Sequence, residues 1–328
     1  MSNIKAIGKF LDQPLLISKL NKQMPKIMIA GASLLFAKNT YDSFKTNKDK
    51  NNARKETIKN GIILSSVIAS SIMAPKIAGK ITKRNPIKHV EAIKKINSDL
   101  IEDYIQKNKP KENIKTILTK AKEKILPIND IKKLLENLTT REDKKFFNKL
   151  IPSPENIKAK DIFSEIGYLS IYGAIPVLGG ITGGISADII TKEKDYKKNI
   201  PNKLHEGLYQ YLANIFMCNI GAGASLAILE KMNIKSKPAR AIGMTTGIIA
   251  TGVLGGSKIA NLVSGKIINP ILSPKEKLKE RKPEALDMCL HTDDIATVSL
   301  LSGLKWIEPS LPILYSVSGY KAATGYRN

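Results

Sequence analysis

Two runs of twenty-two residues without a charged side chain, Ile166 to Ala187 and Leu208 to Leu229, limit this chain more than any other feature in it. At 1.5 Å rise per residue, each makes a helix of about 33 Å, the thickness of a bilayer's hydrocarbon core. A third run, Ala241 to Ser257, adds seventeen residues. Small residues recur in these runs at four-residue spacing: Gly179 and Gly183, Gly180 and Gly184, Gly221 and Ser225, Gly243 and Gly247, Gly252 and Gly256. Residues four apart share a helix face, and a stripe without side chains lets a neighbouring backbone come close. These ten are the expected helix-packing positions. Pro176 removes a backbone donor inside the first run and is expected to kink it.

The chain also repeats itself. Ala239-Arg240 is followed by Gly247-Ile248-Ile249, Gly265-Lys266-Ile267 and Asn269-Pro270-Ile271. Ala53-Arg54 is followed in the same order by Gly61-Ile62-Ile63, Gly79-Lys80-Ile81 and Asn85-Pro86-Ile87. Gly-Ala-Ser-Leu precedes each, at Gly31 to Leu34 and at Gly223 to Leu226. Ile175-Pro176-Val177-Leu178 with Ile181-Thr182-Gly183 matches Leu311-Pro312-Ile313-Leu314 with Val317-Ser318-Gly319. The fold class read from this is all-α, with duplicated three-helix units, each a hairpin plus a Pro-kinked helix. The units are expected to be membrane-embedded and to carry a soluble helical insert. Pro312 is the second expected kink.

The insert is a different material. Residues 87–162 hold 18 Lys and Arg against 12 Asp and Glu, with apolar residues at helical spacing. Ile93, Ile96, Leu100 and Tyr104 make one stripe; Ile114, Ile117, Leu118, Ala121 and Ile125 make another. Ile131, Leu134, Leu135 and Leu138 make a third, and Thr140 to Asp143 reads as a helix start before Phe146 and Phe147. The chain then divides into an amphipathic N-terminal helix (1–22), a first apolar hairpin (23–86), the charged insert (87–162) and a first Pro-kinked helix (163–190). A second hairpin (208–271), a short polar spacer (272–292) and a second Pro-kinked helix (293–323) follow. The first hairpin is the weaker membrane candidate, because its arms are uncharged only over Ile27 to Ala37 and Gly61 to Pro75.

Composition narrows the function classes. The net charge is +24, which raises nucleic acid as a partner. Against it, aromatics are 5% and lie mostly inside apolar runs, and no nucleic-acid-binding motif is present. Cations flanking apolar helices fit anionic lipid headgroups instead. The two cysteines, Cys218 and Cys289, and the histidines His89, His205 and His291 make no metal-ligand spacing. No phosphate loop, nucleophile elbow or HExxH pattern occurs, so no catalytic residue, cofactor or metal is expected.

Three helices per unit is an odd number. If all six spanned, the second unit would be inverted relative to the first, as in many transporters, with a cavity between the Pro176 and Pro312 helices. Asp188, Asn214, Asn219, Lys305 and Glu308 are the polar candidates to line it. Lys and Arg flank both ends of nearly every apolar run, so charge gives no orientation. Re-entrant hairpins, or a water-soluble bundle with a Gly/Ala-rich core, are the competing arrangements. The expected function is that of a membrane protein, either a small-solute transporter or channel-like, in a bacterial-type inner membrane. The alternative is a non-catalytic interaction protein that binds a partner or the membrane surface through residues 87–162.

Overall fold

The computed structural model describes residues 2–84, 88–152, 158–194, 196–234, 236–272, 279–285, 287 and 309–326. The fold is all-α, with no strand among the described residues. These residues form two compact units: one drawn from 1–24, 86–157 and 296–310, the other from 25–85, 158–295 and 311–328.

The first unit begins with α1 (Ser2–Leu11). The chain turns at Asp12-Gln13, and α2 (Pro14–Thr46) starts on a proline, whose missing N–H costs nothing in a first turn. Gln13 fixes the turn: its amide donates to the Leu126 carbonyl (2.9 Å) and accepts from the Leu126 N–H (2.7 Å). The N-terminal helix is therefore part of the insert's fold, since α1 packs on α6 and Ala6 is wholly buried. The rest of the unit is α4 (Val90–Asn108), α5 (Glu112–Ala121), α6 (Ile128–Asn137) and α7 (Arg141–Leu150). Their inward faces make one core around Ile101, Leu118, Ile131, Leu134 and Phe147. The stripe expected on α4 is rotated by about one residue: Ile93, Asn97, Ile101 and Tyr104 are buried, while Ile96 is exposed and Leu100 only partly covered. The polar Asn97 is admitted because its amide bonds the Ala121 carbonyl at 3.2 Å.

Helix α7 opens on a capping box. Thr140 Oγ1 accepts from the Asp143 N–H (3.1 Å), and the Asp143 carboxylate accepts from the Thr140 N–H (3.0 Å). The Tyr104 hydroxyl donates to the same carboxylate at 2.5 Å. Partial burial opposes ionisation of Asp143, but the bonds from Tyr104 and Thr140 outweigh it and hold its pKa below the usual range. The folded value lies below the unfolded one of about 3.9. This stabilisation is thus complete above that pH and is lost as pH falls through the depressed folded value. Tyr104→Phe is expected to flatten that loss. Amide-exchange protection across α7 should fall less between about pH 5 and pH 3 in the variant than in the parent.

The second unit contains the long helices. From Pro25 onward α2 belongs to it, followed by α3 (Lys50–Ile81), α8 (Ala159–Ile190), α9 (Tyr196–Lys231), α10 (Ala239–Leu272) and α11 (Leu311–Thr324). Four of these, α3, α8, α9 and α10, are long and apolar enough to cross a membrane; α2 and α11 are not among them. The 32 residues of α3 span about 48 Å. Pro312 is the second residue of α11, where proline starts a helix rather than kinking it. Only Leu311–Thr324 of the second Pro-kinked segment is described as helix, and residues 288–308 lie outside the described residues.

Helix α8 is the spine of this unit. Its two glycine stripes, one residue apart in phase, serve two different neighbours. A Cβ on Gly179 or Gly183 would run into Ser70 or Ser66 of α3, and Ser66 Oγ donates to the Gly179 carbonyl at 2.7 Å. A Cβ on Gly180 or Gly184 would land on the backbone carbonyl oxygen of Gly319 or Ala323 in α11. Gly319 in turn lies against the Pro176 carbonyl. The two proline-bearing helices thus meet backbone to backbone. At this crossing, with glycine on both sides, no side chain holds them apart.

Helices α9 and α10 form a close hairpin. Gly221 and Gly247 face each other's carbonyls, Ser225 Oγ lies against Gly247, and Gly243 is covered by Leu229. Gly252 and Gly256 lie against Ala213. Gly247 and Gly252 are five residues apart, which on a regular α-helix would put them on different faces. They share one because α10 is π-helical from Ile248 to Gly256, and its wider turn returns to the same face every fifth residue. Helix α9 widens likewise from Leu212 to Met217, where Thr251 Oγ1 donates to the Met217 carbonyl (2.9 Å).

The sequence-matched first hairpin packs differently. Gly61, which corresponds to Gly247, meets the Phe36 ring, and nothing lies near where Gly31 would carry a Cβ. Helix α2 leaves Ile27, Ile29, Leu34, Tyr41 and Phe44 exposed.

Candidate functional site

The second unit exposes large apolar side chains and buries several charged ones. Leu34 is 74% exposed, Ile271 70% and Ile242 68%, while Asp188, Glu206 and Arg281 are each 1% exposed. Burying a charge is costly unless it is paired and hydrogen-bonded, so each of these needs a partner, and each has one.

Asp188 lies near the C-terminal end of α8. It is held between two ammonium groups, Lys203 of α9 at 2.5 Å and Lys59 of α3 at 2.6 Å. Lys203 also donates to the Gly184 carbonyl (2.7 Å), and Lys59 reaches Glu193 at 3.6 Å. A single carboxylate therefore ties together three of the four long helices.

A second cluster runs along α9. Lys203, Glu206, Gln210 and Asn214 recur every three or four residues, so they share one face. Gln210 Nε2 donates to Glu206 Oε1 (2.7 Å), and Asn214 Nδ2 donates to Gln210 Oε1 (2.8 Å). The two amides form a relay ending on the Glu206 carboxylate. Facing it is the non-helical stretch 279–284, which carries Arg281. Arg281 Nε meets Glu206 Oε2 at 2.8 Å and Nη2 meets Asp287 at 3.1 Å. Lys321 of α11 adds a contact to Asp287 at 3.0 Å and one to Glu284 at 2.8 Å. The rings of Tyr209 and Tyr326 stand 4.3 and 4.8 Å from the guanidinium carbon. Burial works against both ions here. The Glu284 N–H, Arg281 and Lys321 nevertheless hold the Asp287 carboxyl below its ordinary range, and Glu206 and Asp287 raise the Arg281 pKa further. Both stay charged at neutral pH.

Beside the cluster, His205 Nε2 bonds Asn261 Oδ1 at 2.9 Å, and Asn261 also clasps the Arg281 backbone through its N–H (2.9 Å) and carbonyl (3.0 Å). Two buried acceptors in this region have no hydrogen-bond partner, Asn214 Oδ1 and His205 Nδ1.

Of the polar residues singled out by sequence, Asp188 and Asn214 lie in these two clusters. Both are bonded inside these charge networks. Asn219 returns its amide to the Ile215 carbonyl of its own helix (2.5 Å). Lys305 and Glu308 lie outside the described residues. Sequence reasoning missed Lys203, Glu206, Arg281 and Asp287. The apolar run read from Leu208 is the later part of α9, which starts at Tyr196 and carries Pro201 within it. The spacing of Lys203, Glu206, Gln210 and Asn214, three to four residues apart and leading into an apolar run, was the available signal. No group of three or more potential metal ligands occurs among the described residues. Compared with protein-family models, curated proteins and solved structures, the chain matches none.

Proposed function

We propose that this chain is an integral membrane protein whose long helices cross a bilayer, of bacterial inner-membrane type. Its buried charges handle a small polar solute, in a transporter or channel-like role. The observation that carries the reading is the polarity of the second unit, with large leucine and isoleucine side chains facing outward and seven ionic groups paired with one another, five of them buried. Intramembrane ionisable residues face the bundle interior, pair with each other and mark solute or proton paths. Membranes prepared with the full chain and washed in alkaline carbonate are expected to retain it in the pellet. Release into the supernatant would sink this reading.

A second reading is supported by the first unit, which has its own core and an excess of cations. On that reading the protein is a membrane-held interaction module that docks a partner or anionic headgroups through residues 87–162. Flux into proteoliposomes separates the two, because a docking module moves no solute. We also propose that the two hairpin-plus-proline segments descend from one duplicated unit, on the strength of their sequence register. Cysteines at Lys48 and Asn233, labelled from one side only, would rule out an inverted arrangement if both react.

A further inference from the structure

The Arg281 guanidinium is the bulkiest fully buried side chain among the described residues. Its surroundings are built for its chemistry. Glu206 and Asp287 accept from its edge at 2.8 and 3.1 Å, and Tyr209 and Tyr326 present their rings to it. A planar cation is recognised in just this way, by carboxylates at its N–H edge and aromatic faces above it.

Two further observations point to a ligand rather than to a brace. First, Glu206 and Tyr209 stand on α9 and Tyr326 just past the end of α11, while Arg281 arrives on the non-helical stretch before Asp287, its backbone clasped by Asn261. Second, the chain's own donors do not exhaust the site. Asn214 Oδ1 is buried and unbonded, and Asn214 itself bonds Asp287 through its amide nitrogen (3.3 Å). His205 donates from Nε2 to the Asn261 oxygen, so its buried Nδ1 is also an acceptor lacking a donor. Buried acceptors without donors are rare in folded chains. What they lack is a molecule rich in N–H groups. Asn214 also lies in the π-helical part of α9, a distortion that recurs at functional sites.

We infer that the box formed by Glu206, Asp287, Tyr209 and Tyr326 is a binding site for guanidinium-bearing cations, which Arg281 fills as the chain's own occupant. For its biological meaning this rests on the solute-handling reading above, since it names the class of solute. The binding itself is testable alone.

The test is chemical rescue of the full chain in detergent micelles, read as the thermal unfolding midpoint. Methylguanidinium chloride is the probe, with methylammonium chloride and sodium chloride at equal ionic strength as references. Arg281→Ala is expected to lower the midpoint. Millimolar methylguanidinium should then raise it by about 3–5 °C, move the parent chain less because Arg281 competes for the box, and lose its effect when Glu206→Gln is added. A rise that is absent, equal for all three salts, or equal in parent and variant overturns the inference. If Arg281→Ala yields no folded protein, Arg281→Lys is measured the same way. Its ammonium leaves the rings and part of the carboxylate edge uncovered, so the same specific rise is expected, and its absence overturns the inference equally. A chain that carbonate releases but methylguanidinium rescues sinks the membrane reading and leaves the box standing. A pelleted chain without rescue does the reverse.

Discussion

Gly180→Leu is expected to abolish recovery of folded protein, and Gly180→Ala alone to lower stability by more than about 3 kcal/mol. A Cβ at this position would occupy the place of the Gly319 carbonyl oxygen, which is backbone and does not rotate away. To make room, α8 and α11 must separate, and the approaches of Gly184 to Ala323 and of Gly319 to Pro176 are then lost together. Gly167→Ala is the control. It lies on the same helix with nothing within 4 Å of its would-be Cβ, and replacing glycine by alanine inside a helix ordinarily stabilises by up to about 1 kcal/mol. Denaturation in detergent should therefore show changes of opposite sign at two glycines of one helix. Similar losses at both would mean that α8 and α11 do not cross where described.

Asp188→Asn is expected to cost about 3–5 kcal/mol, the penalty for removing one partner of a buried ion pair. The side chains of Asp188 and Lys203 are 2% and 4% exposed, so the Lys203 ammonium cannot turn to water when the carboxylate is neutralised, whereas Lys59 keeps Glu193. Two cations would then face each other inside α3, α8 and α9. The double variant Asp188→Asn with Lys203→Met should be more stable than Asp188→Asn alone, because the second change removes one of the two facing cations. Lys59→Gln should be milder than either, since Lys203 remains to neutralise Asp188. Unfolding midpoints of the four proteins test this, and a double variant worse than the single one would contradict the pairing.

The parts of this architecture visible in the sequence are those that depend on the absence of something. Gly179, Gly180, Gly183 and Gly184 stand out because a helix so poor in side chains has no reason to exist except close approach, and each of them lies at such an approach. Asp188 stood out as the first charge after a long apolar run. What was hidden depends on partners far away in the chain. Nothing near Glu206 announces that Arg281 will meet it, and nothing near Arg281 distinguishes it from the other cations of a polar spacer. Pro201 does not end α9, because a proline near the start of a helix forfeits few bonds. The repeat misled in another way. Gly61 and Gly247 occupy matching positions, yet one meets a phenylalanine ring and the other a carbonyl. A shared local sequence transmits helix ends and small-residue spacing, while the partner across the groove is chosen by the rest of the chain.

The distance in sequence between these partners sets an order of events during synthesis. Asp188 follows Lys59 out of the ribosome and waits 15 residues for Lys203, about one to three seconds at ordinary elongation rates. Glu206 waits 75 residues for Arg281, roughly four to fifteen seconds. For that interval α9 exists with its carboxylate and its amide relay but without its counter-ion. The α8 charge is thus answered almost as it is made, while α9 must be kept protonated, wet or chaperoned until the polar stretch behind α10 arrives. A nascent chain stalled before residue 281 would hold α9 with its carboxylate unanswered.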